Sequence, residues 1–269
     1  MATLTATILG CGSSGGVPRL SDDPDGAWGA CDPANPRNTR RRCSLLVTRR
    51  DAGGTTRLLI DTSPDLRAQM LSTGTGSLDG VVWTHSHADH VHGIDDLRMI
   101  VFNMRRRLAV WADRETAAAL VDRFGYVFVT PPGSSYPPIL DLHDIDGPVT
   151  VTGAGGPITA VPFTVTHGSI DALGFRIGPL AYIPDLSAIP DAAWPHLEGL
   201  DTLIIDALRY DPHPSHAHVA QTLDWIARAA PRRAILTNMH IDLDHDTLDL
   251  ETPANVTPAH DGLTLDFED

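Results

Sequence analysis

A mixed α/β domain is the fold class this sequence predicts, and three observations predict it. Short apolar segments rich in β-branched residues recur along the chain, a few stretches with helical spacing lie between them, and no Gly/Pro-rich segment is long enough to separate domains. Strands are expected over residues 4–9, 44–48, 57–60, 80–84, 108–111, 149–152, 158–166, 173–177, 180–183, 202–205, 233–237 and 263–267. Helices are expected over 65–72, 114–124 and 215–230; in the last, Ser215 suits an N-cap and Val219, Leu223 and Ile226 form one apolar stripe. The richest Gly/Pro loops are 10–18, 131–138 and 153–157, and no repeat at a solenoid period is present. The chain is therefore read as a single domain over residues 1–269.

Composition narrows the chemistry. Of 269 residues, 42% are apolar and 20% charged, an ordinary globular balance that supports a core without staples. All 20 basic residues are arginine, so lysine-based Schiff-base, pyridoxal-phosphate and P-loop chemistry are excluded. Only Glu115, Glu198, Glu251 and Glu268 are glutamates; the other 30 of the 34 acids are aspartates, so carboxylate chemistry here is aspartate chemistry. The formal charge of −14 opposes stable nucleic-acid binding. Two arginine-rich stretches, 37–50 and 105–107, read as solvated surface or, more sharply, as steering for an anionic substrate. Cys11, Cys31 and Cys43 are an odd set with spacings of 20 and 12, matching neither a disulfide framework nor a CxxC zinc pattern, and are expected to be reduced. The first basic residue is Arg19 and no apolar run approaches a membrane span, so a soluble, cytoplasmic protein is expected.

The informative segment is Val81-Val82-Trp83-Thr84-His85-Ser86-His87-Ala88-Asp89-His90, an apolar strand that runs into three histidines and an aspartate. His85 and His87, two apart in extended backbone, project to one side and can chelate one ion, while Asp89 and His90 turn toward a second. Two ions need more ligands than these four. Three later positions each follow a strand: His167 after 158–166, Asp185 after 180–183 and His240 after 233–237. An aspartate between two divalent ions can bridge them, and such a pair shares a hydroxide nucleophile at neutral pH.

With this ordered set the sequence resembles the metallo-β-lactamase superfamily, in its PhnP-like branch typified by phosphoribosyl 1,2-cyclic phosphate phosphodiesterase. The resemblance is carried also by residues 8–19, 59–67, 92–98, Pro212-His213-Pro214-Ser215-His216 and Thr257-Pro258-Ala259-His260-Asp261-Gly262, nearly the whole chain. It implies an αββα sandwich of two mixed β-sheets flanked by helices, with two divalent ions, zinc or manganese first and iron third, at one edge. It implies hydrolysis of a small cyclic or nucleotide phosphate diester. The metal ligands are then His85, His87, Asp89, His90, His167, Asp185 and His240, and the catalytic residues Asp89 and His216. His216 stands in the H-P-x-H segment at the first turn of the expected helix 215–230, whose positive end would disfavour the imidazolium and favour release of its proton to a leaving alkoxide. His213 and His218 are its local competitors.

Smaller signals are ambiguous. Asp65 is the better N-cap of the pair Asp61 and Asp65; Arg98 either meets substrate phosphate or is locked to Asp95 and Asp96; the Gly12 to Gly16 loop is only a weak phosphate cradle.

Two departures from the family pattern stand out. Relatives carry a structural zinc on closely spaced cysteines and a histidine, whereas this chain offers only Cys31 in that loop and Ile241 at the histidine position, so no such zinc is expected. Asn238 falls where a catalytic-metal histidine would be, leaving His240 as the only histidine of that motif able to ligate. The runner-up enzyme is a tRNA 3′-processing endonuclease, and a non-catalytic PqqB-like carrier is the alternative outside enzymes. The expected partners are a small diester or nucleotide substrate, no membrane, and optionally a second copy in a homodimer.

Overall fold

The computed structural model describes residues 2–268, and among these the chain forms fourteen strands and six α-helices. The strands are β1 (Thr3–Gly10), β2 (Ser44–Asp51), β3 (Gly54–Ile60), β4 (Gly80–Val82), β5 (Leu108–Ala112), β6 (Leu140–Asp144), β7 (Val149–Gly153), β8 (Gly156–His167), β9 (Ile170–Ile177), β10 (Leu180–Ile183), β11 (Thr202–Asp206), β12 (Arg233–Thr237), β13 (Val256–Pro258) and β14 (Thr264–Glu268). The helices are α1 (Leu66–Ser72), α2 (Ala88–Val91), α3 (Leu97–Met104), α4 (Arg114–Phe124), α5 (Val219–Ala229) and α6 (His245–Glu251). They build two mixed seven-stranded sheets with strand orders β14-β1-β2-β3-β4-β5-β6 and β13-β12-β11-β10-β9-β8-β7, which is the predicted α/β class. The chain divides into two compact units: Met1–Leu9, Ser44–Ala160 and Thr264–Asp269 form the first, Gly10–Cys43 and Val161–Leu263 the second. No helix of the described residues is long and apolar enough to cross a membrane.

In the first unit β3, β4, β5 and β6 pair in parallel, and their apolar residues Leu59, Val81, Val110 and Leu140 join one buried core. Gly80 is needed in β4 because a Cβ there would come within 2.6 Å of Val151. Helix α3 buries Leu97, Ile100 and Val101 at i, i+3 and i+4 and stops at Arg105, which turns into the left-handed region with φ 54°. Helix α4 matches its predicted bounds and is capped by Asp113, whose carboxylate accepts the Thr116 N–H at 2.7 Å. Helix α3 and strand β6 were not expected. The run 97–102 is apolar nearly throughout and shows no clean stripe, and β6 alternates Leu with Asp and His too briefly to signal a strand.

In the second unit β10, β11, β12 and β13 are parallel. Every residue of β10 and β11 is buried, as continuous apolar β-branched runs require of a central parallel sheet. Helix α5 begins at Val219, four residues later than predicted. Ala217 N–H is bonded to Leu186 O (2.7 Å), Leu208 N–H to Ala217 O (2.9 Å) and Val219 N–H to Arg209 O (3.0 Å), so the backbone before Val219 is held extended against its neighbours. His216 thus precedes the helix instead of lying in its first turn, where the positive helix end was expected to act on it.

Within the basic stretch 37–50, Arg37 and Arg50 are exposed but Arg40 is not. Arg40 is 2% exposed; its Nη1 donates to His240 O (3.2 Å) and lies 3.7 Å from Cys31 Sγ, and its Nη2 donates to Leu243 O (2.6 Å) and Asn38 Oδ1 (3.1 Å). One buried guanidinium therefore fastens the loop 31–40 to the segment 240–243. Arg41 pairs with Asp261 at 2.9 Å, and in the first unit Arg106 pairs with Asp79 and Arg107 with Asp141. The three cysteines are free and buried.

Candidate metal centre

The first unit contributes His85, His87, Asp89 and His90. His85 and His87 lie on the extended segment after β4, whereas Asp89 and His90 are on α2. The His85 ring centroid is 4.6 Å from that of His87 and 4.3 Å from that of His90, and Asp89 Oδ2 is 3.6 Å from His90 Nε2.

Asp61 orders this group. It sits at the end of β3, fully buried, in the left-handed region with φ 65°. Its carboxylate accepts the Thr84 N–H (2.8 Å), the Thr84 hydroxyl (2.8 Å) and His90 Nδ1 (2.7 Å). Having donated to Asp61, the Thr84 hydroxyl accepts from His85 Nδ1 at 3.0 Å. Two imidazoles are thereby held in the tautomer that presents Nε2 for ligation, the usual outer support of a metal histidine. Burial raises the Asp61 carboxyl above its ordinary range, and the neighbouring His90 draws it back. Around it, Thr62 N–H bonds His90 O (2.8 Å) and Gly93 N–H bonds Thr62 O (2.9 Å). A Cβ at Gly93 would stand 2.0 Å from Ser63 O, so only glycine allows this approach. Asp65 occupies the N-cap position of α1 but makes no side-chain cap hydrogen bond. Of the pair Asp61 and Asp65, it is Asp61 that serves the site. Arg98 is in an ion pair with Asp95 at 2.7 Å, the second of its two readings.

The second unit contributes His167, Asp185 and His216. His167 ends β8 and its Nδ1 donates to Ser215 O at 2.6 Å, again presenting Nε2, which is 3.6 Å from Asp185 Oδ2. Gly168, with φ 61°, lets the chain turn away there; a Cβ would meet that of Ser215 at 2.7 Å. The His216 ring lies 4.6 Å from that of His167, and its Nδ1 is 4.0 Å from Asp185 Oδ2. Asp206, which sequence reasoning missed, ends β11 with its Oδ2 2.9 Å from His216 Nδ1. Burial pushes the Asp206 carboxyl up to about 7 against the pull of His216. The signal for it was an aspartate closing an apolar strand, the same cue that marked Asp185. His213 lies 5.2 Å from His216 ring to ring with its Nδ1 near the Ser215 hydroxyl (3.2 Å), and His218 takes the N-cap position of α5.

His240 departs from its expected place. Its Nδ1 is 2.8 Å from Asp242 Oδ2, and it belongs to no grouping of His, Cys, Asp and Glu among the described residues that is close enough to share an ion. The expectation assumed extended backbone from 238 to 240. Instead Asn238 has φ 60°, Met239 N–H bonds Cys11 O (2.9 Å) and His240 N–H bonds Leu208 O (2.9 Å), so the two side chains do not share a face. Asn238, 1% exposed, has its Nδ2 3.1 Å from Asp206 Oδ1 and 3.0 Å from His216 Nδ1.

The donor set fits divalent transition metals: imidazoles pinned through Nδ1 and aspartate carboxylates are what zinc, manganese and iron accept.

The family described as the Beta-lactamase superfamily domain matches residues 56–241. A solved structure described as a new diphosphatase from the PhnP family superposes with a TM-score of 0.87 at 33% identity, covering 99% of this chain and 98% of that one. An octanoyltransferase of Porphyromonas gingivalis is 36% identical over 263 residues, 95% of this chain, which spans only half the length of that protein. The zinc-bound PqqB structure from Methylobacterium extorquens shares the fold, with a TM-score of 0.74, 19% identity and coverage of 98% of this chain and all of that one.

Proposed function

The chain belongs to the metallo-β-lactamase superfamily, in its PhnP-like branch, and from that premise we propose that it is a metal-dependent hydrolase of small phosphate diesters, diphosphate-linked esters included. In the first unit His85, His87, Asp89 and His90 would hold divalent metal, and in the second His167 and Asp185. Bound there, the ions supply Lewis acidity toward a phosphate oxygen and lower the pKa of water toward neutrality. Asp89 would accept a hydrogen of the attacking water through its carboxylate. His216 delivers a proton from Nε2 to the leaving oxygen. Asp206 fixes the direction of that ring through Nδ1 and balances its positive charge while the proton is held. The single observation that carries the reading is the donor set of the first unit, with three histidines and an aspartate in six residues and two of the rings locked through Asp61. The PhnP-family diphosphatase supports phosphorus as the centre attacked. The net charge of −14 and the ion pairs that occupy Arg41, Arg106 and Arg107 speak against a tRNA-gripping surface.

The test is a screen of purified protein against cyclic ribose phosphates, bis(p-nitrophenyl) phosphate and dinucleoside diphosphates with zinc, manganese or iron added back. Hydrolysis of at least one class, abolished by chelator, is expected. Inertness toward every class with metal bound would favour the carrier reading, and cleavage confined to precursor tRNA the endonuclease.

A further inference from the structure

Asn238 stands where the resemblance places a metal histidine, yet its amide is engaged elsewhere. It is buried and left-handed, with Nδ2 3.1 Å from Asp206 Oδ1 and 3.0 Å from His216 Nδ1, while Asp206 Oδ2 is 2.9 Å from the same Nδ1. The orientation of the amide follows from its chemistry. Its oxygen against the carboxylate would be repulsive, whereas its NH2 group donates a hydrogen to the carboxylate. The geometry points to Asn238 as a positioning residue for His216 and not as a metal ligand. When Nδ1 carries hydrogen it donates to Asp206, and Asn238 donates to the other oxygen of that carboxylate and fixes its plane. Release of a proton from Nε2 leaves the Nδ1 hydrogen in place, so the ring is held by Asp206, and Asp206 by Asn238, before and after that step. A left-handed backbone is also one that asparagine tolerates and histidine less readily.

This inference rests on the proposed role of His216 as proton donor. It is tested in Asn238→Gly, which removes the amide and accepts φ 60° without strain, and in Asn238→Asp, which keeps shape and backbone but replaces the donors by an acceptor. Three quantities are read in each: zinc bound per chain, the ratio of turnover on a nitrophenyl diester to that on an alkyl diester, and the NMR signal of the His216 Nδ1 hydrogen in zinc-loaded protein, assigned by its loss in His216→Asn. The expected result is wild-type zinc content and a shift of the ratio by about 10- to 100-fold against the alkyl leaving group, part of the ~10²–10⁴ that general acid catalysis supplies. The Nδ1 signal is expected to move or vanish. Loss of about one zinc per chain in Asn238→Gly would identify Asn238 as a ligand and overturn the inference, as would an unchanged ratio. If the wild type hydrolyses no diester, the functional reading fails by itself. Zinc content and the Nδ1 signal then decide, and an unaltered signal in Asn238→Gly overturns the positioning role.

Discussion

The two units present their metal-competent residues in different ways. In the first, His85, His87, Asp89 and His90 fall within six residues and share one organiser, Asp61, which reaches two of the rings directly or through Thr84. In the second, His167, Asp185, Asp206, His216 and Asn238 come from five places along 72 residues: the parallel pairing of β10, β11 and β12 aligns Asp185, Asp206 and Asn238, whereas His167 ends β8 and His216 lies on the bonded segment before α5. A compact motif makes its chemistry legible from spacing. A dispersed one becomes legible only when strand ends are aligned, because adjacent parallel strands in register deliver their C-terminal residues to one edge.

The largest effect should come from the second set. Asp185→Ala should abolish metal-dependent turnover and lower bound metal, checked by elemental analysis beside the diester assay; wild-type activity in this variant would remove Asp185 from the site. Next, His216→Ala should slow turnover on substrates with poor leaving groups by roughly 10²- to 10⁴-fold with metal content unchanged, the scale of general acid catalysis. If the variant loses metal instead, His216 is a ligand. In the first set, Asp61→Asn should weaken metal affinity by about 10- to 100-fold, as loss of an outer partner does, measured by competition with a chelating dye. Equal affinity would show that the histidines order themselves. The smallest effect on chemistry is expected away from both sets. Arg40→Met leaves the carbonyls of His240 and Leu243 without their buried donor and should cost about 1–3 kcal/mol of stability, read from the urea midpoint at unchanged slope.

Much of the molecule is legible in its sequence, for physical reasons. Strands β10 and β12 and helix α4 fall on their predicted residues because apolar β-branched runs and a capped amphipathic stripe leave little ambiguity. The motif 85–90, His167 and Asp185 stand out as candidates from composition and order. The misses share a cause, non-local hydrogen bonding. Asp61 looks like a turn residue because its partners Thr84 and His90 are 23 and 29 positions away. The start of α5 is misplaced because Ala217 is bonded to Leu186 and Leu208. His240 is expected beside the ligands because spacing alone does not reveal the left-handed turn at Asn238. Arg40 reads as solvated because nothing near it in sequence announces carbonyl partners 200 and 203 residues on.

The most direct test of the central claim is a titration of metal-stripped protein with manganese or zinc, following bound ions per chain and diester hydrolysis together. The account predicts negligible hydrolysis without metal, two ions bound per chain at saturation, and activity that rises with their binding and is lost again with chelator. Full hydrolytic activity in protein shown to hold no metal, or saturation of the two ions with every diester left intact, would contradict it.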